Sequence, residues 1–277
     1  MLRRCAAAVR HGIDISGCGF STVDAVKGGM QPNPILQNAI PEEQRAAAAA
    51  RLPAMQPVKP GEWLRQDDAF AGQLAEKARL IAEMPEKVMA ILPEAKDAAS
   101  ELLTVVMAEL ALNPRYRMEG EGVRRPDNRL VTIDTHAPLL TLSRLVQEDF
   151  CILQKQGDEH VLTAALLCFP SAWTLSEKIG RPLTSIHVPV PSYDEGVAAR
   201  VQRLFDGVQP GRPVWRANLL RYDLSDLYQP HTEANPRPVG NPQSPYERSE
   251  RQTVLRLPGT GAVVFSIQTT MARRVGA

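Results

Sequence analysis

Past residue 41 the apolar positions fall first at helical spacing, then in strand-like runs. Residues 42–51 follow Pro41 with two acids and a run of alanines, the signature of a helix start. Residues 68–83 put Phe70, Leu74, Ala78, Leu80 and Ile81 on one face, with Asp67 or Asp68 as the cap. Residues 93–112 begin at Pro93 and carry Leu102, Leu103, Val106, Leu110 and Leu112. A fourth helix over about 137–147 holds Leu139, Leu140, Leu142 and Leu145.

From Asp149 the texture predicts strands at 149–155, 160–169, 213–223, 248–257 and 261–270. The last two flank Pro258-Gly259-Thr260-Gly261, a tight turn, and so form a hairpin. A short helix at 174–179 and a longer one near 193–206 lie between strands. Helices gathered first and hairpin-joined strands after them predict an α+β fold with an antiparallel sheet. The expected organisation is a loosely ordered leader over 1–41 and one domain over 42–277, helical to 147 with a sheet core over 148–270. Met30 is a candidate start. Residues 229–246, with five prolines, form a long loop of the kind that is often functional or mobile.

Charge and cysteines narrow the function classes. Thirty-two Lys and Arg against 31 Asp and Glu give a net charge of +1, without the basic excess of a phosphate-neutralising nucleic-acid binder. No run of 18 uncharged apolar residues predicts a membrane span, and the short run Cys5–Val9 is weak for a signal peptide. Cys5, Cys18, Cys151 and Cys168 form no CxxC pair, against a zinc ribbon or iron–sulfur cluster. Scattered thiols fit a reducing, cytoplasmic compartment. P-loop, Rossmann and HExxH patterns are absent, and Ser171 lacks a nucleophile elbow.

Two groups of residues carry candidate chemistry. The first is Leu167-Cys168-Phe169-Pro170-Ser171-Ala172-Trp173, with Glu177-Lys178 and then Ile186-His187-Val188-Pro189-Val190-Pro191. The prolines predict a stiff extended connector, on which His187 is either a metal or haem ligand or a histidine bonded to a backbone carbonyl. Cys168 is a possible thiolate or, like most buried cysteines, inert packing. The second group is Val214-Trp215-Arg216-Ala217-Asn218 with Glu247–Thr253. Strand alternation puts Trp215 and Ala217 opposite Arg216 and Asn218, and sets Arg248, Glu250 and Gln252 on one face with Ser249, Arg251 and Thr253 on the other. Such a polar row is either solvated or lines a pocket.

These residues resemble a known family, the haem-dependent oxidative N-demethylases, related to the haem subunit of dimethylamine monooxygenase. The matching pieces are QEDFCIL (147–153), LCFPSAWTLSEKIGRPLTSIHVPVP (167–191), VWRAN (214–218), RSERQTVLRLPGTGAVVFSI (248–267) and PGEWLRQDDAFAGQLAEKARLI (60–81). Together they span about residues 55–270. The resemblance implies a PAS-like haem-binding core, haem b, O2 activation and removal of a methyl group from a small alkylamine, released as formaldehyde. It implies His187 as the iron ligand, with His160 as the runner-up. It assigns Trp215, Arg216 and Arg248 to the cofactor and Glu250, Arg251 and Trp173 to catalysis. Among these, Glu250, Trp173 and Trp215 would meet a protonated amine, and Arg216 or Arg251 would hold propionates or deliver protons. With no flavin motif or cluster cysteines in the chain, electrons are expected from a separate reductase. The alternatives are a PAS-like haem sensor or amine-binding module without turnover, and a structural module that has lost haem. Residues 1–30 have no counterpart in this resemblance, and the chain ends at Ala277 where a further helix is expected.

Overall fold

A computed structural model describes residues 34–50, 54–187, 195–238 and 240–274. Its helices are α1 (Glu42–Ala49), α2 (Phe70–Glu83), α3 (Pro85–Val88), α4 (Lys96–Ala111), α5 (Pro138–Leu145), α6 (Leu183–His187) and α7 (Glu195–Gly207). Its strands are β1 (Gln56–Pro57), β2 (Met89–Ile91), β3 (Arg117–Glu119), β4 (Gly122–Arg124), β5 (Leu130–Thr132), β6 (Asp149–Gln156), β7 (Glu159–Leu166), β8 (Val214–Tyr222), β9 (Tyr246–Arg256) and β10 (Val263–Arg273). The protein is α+β, as the pattern predicts.

Seven strands make one sheet in the order β1-β8-β9-β10-β6-β7-β2, with each neighbouring pair antiparallel. The small β3-β4-β5 meander was not anticipated, because three-residue strands are too short to show alternation. The β9–β10 hairpin forms at the expected turn, where Gly261 has φ +72°. Glu101 on α4 clamps that turn, accepting the Gly259 and Thr260 N–H groups at 2.5 and 2.7 Å. A Cβ at position 259 would lie 2.8 Å from Glu101 Oε1, so a larger residue there would push the carboxylate off the turn.

Each face of the sheet has its own apolar core. On one face, Phe150, Ile152, Ala164, Leu166, Leu255 and Val264 pack with Leu74 and Leu80 of α2, Leu102 of α4 and Leu142 of α5. We call this the N-terminal face; α1 extends it, with Ala47 against Trp215 and Ala217. On the other face, Cys151, Leu153, Leu162, Ala165, Val254 and Ile267 pack with Leu175, Leu183, Phe205 and Val208. This is the insert face, covered by the segment between β7 and β8.

Several local expectations change. Residues 34–41 were read as the end of a loose leader, but Ile40 is buried and Gln37 bridges to β10 through Met271 and Thr269. Residues 1–33 lie outside the described residues. Asp67 does not cap α2 from the N-cap position, which is Ala69. It accepts the Ala69 N–H and side-chain N–H groups of Gln37, Gln147 and Gln268. The inner face of α2 includes Gln73 and Lys77 in place of Ala78, which is exposed. Ile186 and His187, at the start of the expected connector, close helix α6 instead, and residues 188–191 lie outside the described residues. Pro189 and Pro191 permit this because a proline restricts the residue just before it, and neither Ile186 nor His187 holds that position.

Candidate functional site

Strand alternation sorts the candidate residues onto two faces. Val254 lies on the insert face, so Gln252, Glu250 and Arg248 do as well. Their β8 partners Arg216, Asn218 and Leu220 share that face through the register Arg216↔Gln252, Asn218↔Glu250 and Leu220↔Arg248. Trp215 and Arg251 lie on the N-terminal face. There the Arg251 guanidinium stacks 4.4 Å from the Trp215 ring centroid.

Two members of the polar row on the insert face are buried rather than solvated, and Gln252, Asn218 and Arg216 are half-buried. Arg248 is 1% exposed and Glu250 6%. Both Glu250 oxygens are held: Arg248 Nη2 donates to Oε1 at 3.2 Å, while Asn218 Nδ2 and Gln252 Nε2 donate to Oε2 at 3.0 and 3.1 Å. Arg248 is committed elsewhere as well. Its Nη1 donates to the Leu227 carbonyl at 2.9 Å and its Nη2 to the Phe169 carbonyl at 2.5 Å. Arg216 differs. It makes no hydrogen bond or ion pair among the described residues, and its buried Nε has no partner. Burial lowers its pKa, opposed by the charge of Glu250.

The segment after β7 reaches the same face. Asp149 Oδ2 accepts the Phe169 N–H at 2.6 Å and fixes the start of the segment. Ala172 takes φ +67°, its N–H donating to the Gln229 carbonyl, and Ser171 and Tyr222 share a hydroxyl hydrogen bond of 2.5 Å. The long loop is therefore tied to this segment at Gln229. Trp173 is half-buried against the insert-face core, as are Ile179 and Ile186.

His187 is the last residue of α6; its side chain and residues 188–194 lie outside the described residues. The turn before it is braced by a residue to which the sequence reading gave no role. Lys178, 4% exposed, donates to the Ile186 carbonyl at 2.8 Å and pairs with Glu233 at 2.6 Å.

His160 is also on the insert face but under α7. Gln202 Nε2 lies 3.0 Å from its Nδ1, Phe205 stacks edge-on at 5.6 Å, and its Nε2 has no partner. Burial lowers its pKa. Three strands separate β7 from β8, so His160 and Arg216 are roughly 19 Å apart across the sheet at ordinary strand spacing. Cys168 is fully buried in the N-terminal core, and desolvation pushes its thiol pKa well up, as expected of packing. Two surface depressions lie away from the row, one beside Leu103, Met107 and Ile133, the other beside Leu74, Arg125 and Arg144.

A largely buried polar row with a cation that has no partner among the described residues suits an anionic group. The family model for haem-dependent oxidative N-demethylase, alpha subunit-like, matches residues 54–274. The chain belongs to this family. The match takes in the whole sheet, and the family's name points to a haem-dependent oxidoreductase that demethylates at nitrogen. The description as an alpha subunit implies a partner subunit. Among the described residues no helix is long and apolar enough to cross a membrane.

Proposed function

We propose that this chain is the haem-carrying subunit of a monooxygenase that demethylates a small alkylamine, and that haem b lies on the insert face. One observation carries this reading: buried Arg248 and Glu250, joined by half-buried Gln252 and Asn218 and by an Arg216 that has no hydrogen-bond or ion-pair partner among the described residues. The residues present fit the group. Arg216 would pair with a propionate, since its guanidinium has N–H groups free to do so. His187 would supply a nitrogen ligand to the haem iron, from a helix end that Lys178 steadies through Ile186. The order β8-β9-β10-β6-β7, with its helical insert on one face, supports a PAS-like core.

Haem, when bound, supplies O2 activation and the oxidising power that takes an N-methyl group to formaldehyde, with electrons from a separate reductase. The protein's part is to bind and orient the amine. Glu250 Oε1 accepts one N–H and so keeps a lone pair for a protonated amine. Trp173 offers an aromatic face to the same cation. Arg248 holds Glu250 rather than a propionate, because its Nη groups are bound to protein acceptors. Trp215 and Arg251 lie behind the sheet and have no contact with the amine in this reading.

The test is direct. Protein expressed with haem supplied should show a Soret band. With a reductase and O2 it should release formaldehyde in proportion to dimethylamine consumed. A Soret band without formaldehyde would favour a sensor; absence of the band would sink the haem reading.

A further inference from the structure

Arg251 is 2% exposed, yet a whole edge of its guanidinium lacks a partner among the described residues. Nη1 donates to Thr253 Oγ1 at 3.1 Å, and the group lies over Trp215. Nε and Nη2 have no acceptor among the described residues. These two N–H groups point the same way, and their spacing matches the two oxygens of a carboxylate.

The surroundings are polar and also incompletely bonded. Gln268 is the β10 partner of Arg251; its Nε2 donates to Asp67 at 3.0 Å while its Oε1 is unpartnered. Thr270 Oγ1 and Gln44 Oε1 of α1 are unpartnered too. Glu148, fully buried, accepts the Arg65 N–H on Oε1 at 2.8 Å and has nothing on Oε2. Desolvation raises the Glu148 pKa to about 7, against the pull of Lys77 of α2 and Arg251 of β9. Tyr116 also lies within its field, and Arg65, Glu43 and Glu62 act on Arg251 from the neighbouring loop and α1. A protonated Glu148 would offer an O–H where an anion is held.

We propose that the N-terminal face carries a second binding site, for a small carboxylate, gripped on two oxygens by the Nε–Nη2 edge of Arg251. It lies behind the sheet from the proposed haem site and does not depend on it. Trp215 keeps the guanidinium plane fixed. Glu148 adds a donor in its protonated form and repels the ligand once ionised.

Sodium formate is the probe, titrated into the full chain against sodium chloride at matched ionic strength. Haem-free and haem-loaded samples are run in parallel. Formate at ten times its Kd should raise the Tm of both by about 3–5 °C, with no equivalent shift in chloride. Arg251→Lys, which loses the fork, should abolish the shift. Wild-type affinity should fall about tenfold between pH 6 and 8, as a group of pKa near 7 ionises. Glu148→Gln, which keeps the Oε1 acceptor, should flatten that dependence and stands in if Arg251→Lys does not fold. An equal shift in chloride, a shift retained in Arg251→Lys, or an unchanged pH slope in Glu148→Gln overturns the site. A response confined to haem-free protein overturns it too, because the edge would then seat a haem propionate.

Discussion

Lys77 Nζ lies 3.0 Å from Asp149 Oδ1, with the two side chains 0% and 1% exposed. The same ammonium donates to the Glu148 carbonyl at 2.5 Å, and the other Asp149 oxygen takes the Phe169 N–H. This pair ties α2 to the start of β6 and to the segment that carries Trp173. Removing one partner leaves a buried charge uncompensated. Lys77→Met should therefore cost about 3–5 kcal/mol in urea unfolding. The double variant Lys77→Met/Asp149→Asn should recover part of that loss. A single-variant cost below about 1 kcal/mol would show that the pair is solvated.

Glu148 gives stability a pH slope of known sign. Burial raises its folded pKa to about 7, above the unfolded value of 4.5. Between those values the folded state holds a proton that the unfolded state has lost, so stability falls as pH rises toward 7. The full swing is about 3 kcal/mol for one group. Glu148→Gln should remove it, making the variant less pH-dependent than wild type between pH 5 and 8. The check is the difference between the two unfolding curves across that range, and parallel curves would refute it.

Arg216 and Arg248 share a face but should respond oppositely to mutation. Arg216→Gln removes a cation with no hydrogen bond or ion pair among the described residues, so stability should change by about 0.5 kcal/mol or less while haem affinity drops. Arg248→Met strands the Phe169 and Leu227 carbonyls and frees Glu250, costing about 2–4 kcal/mol. Haem titration and denaturant curves on both variants separate the roles. If Arg216→Gln binds haem as wild type does, another group holds the propionates.

Glu250→Gln keeps the shape of the row but removes the charge offered to a protonated amine. We expect kcat/KM for dimethylamine to fall about 10–100-fold, with the Soret spectrum unchanged. An unaltered kcat/KM would take Glu250 out of substrate binding.

Much of this was legible in the chain because alternation is a strong constraint. The split between Trp215 and Arg216, and between Glu250 and Arg251, follows from a period of two and appears in the structure. Burial of the row was not legible, since the same letters describe a solvated ladder. Lys77 and Gln73 were missed for a related reason: polar residues in an amphipathic helix read as its outer face, yet here they find buried partners. Asp67 was read as a local cap because such aspartates are common, but its partners come from distant parts of the chain. Pro189 and Pro191 suggest an extended connector from Ile186 onward, yet a proline acts on the residue just before it, so Ile186 and His187 stay free to close α6.

The polarity of β9 on both faces has a consequence for how the chain finds its pairing. In an ordinary strand a slip of one residue swaps a buried apolar row for a solvated one, and that penalty selects the alignment. Over Glu247–Thr253 a slip would exchange one set of hydrogen-bonding side chains for another, and hydrophobicity scarcely discriminates. The discrimination falls instead to Val254 and Leu255, and to the turn held by Glu101 from 158 residues away. The alignment of the strand bearing Glu250 is thus decided remotely, by a helix made long before it.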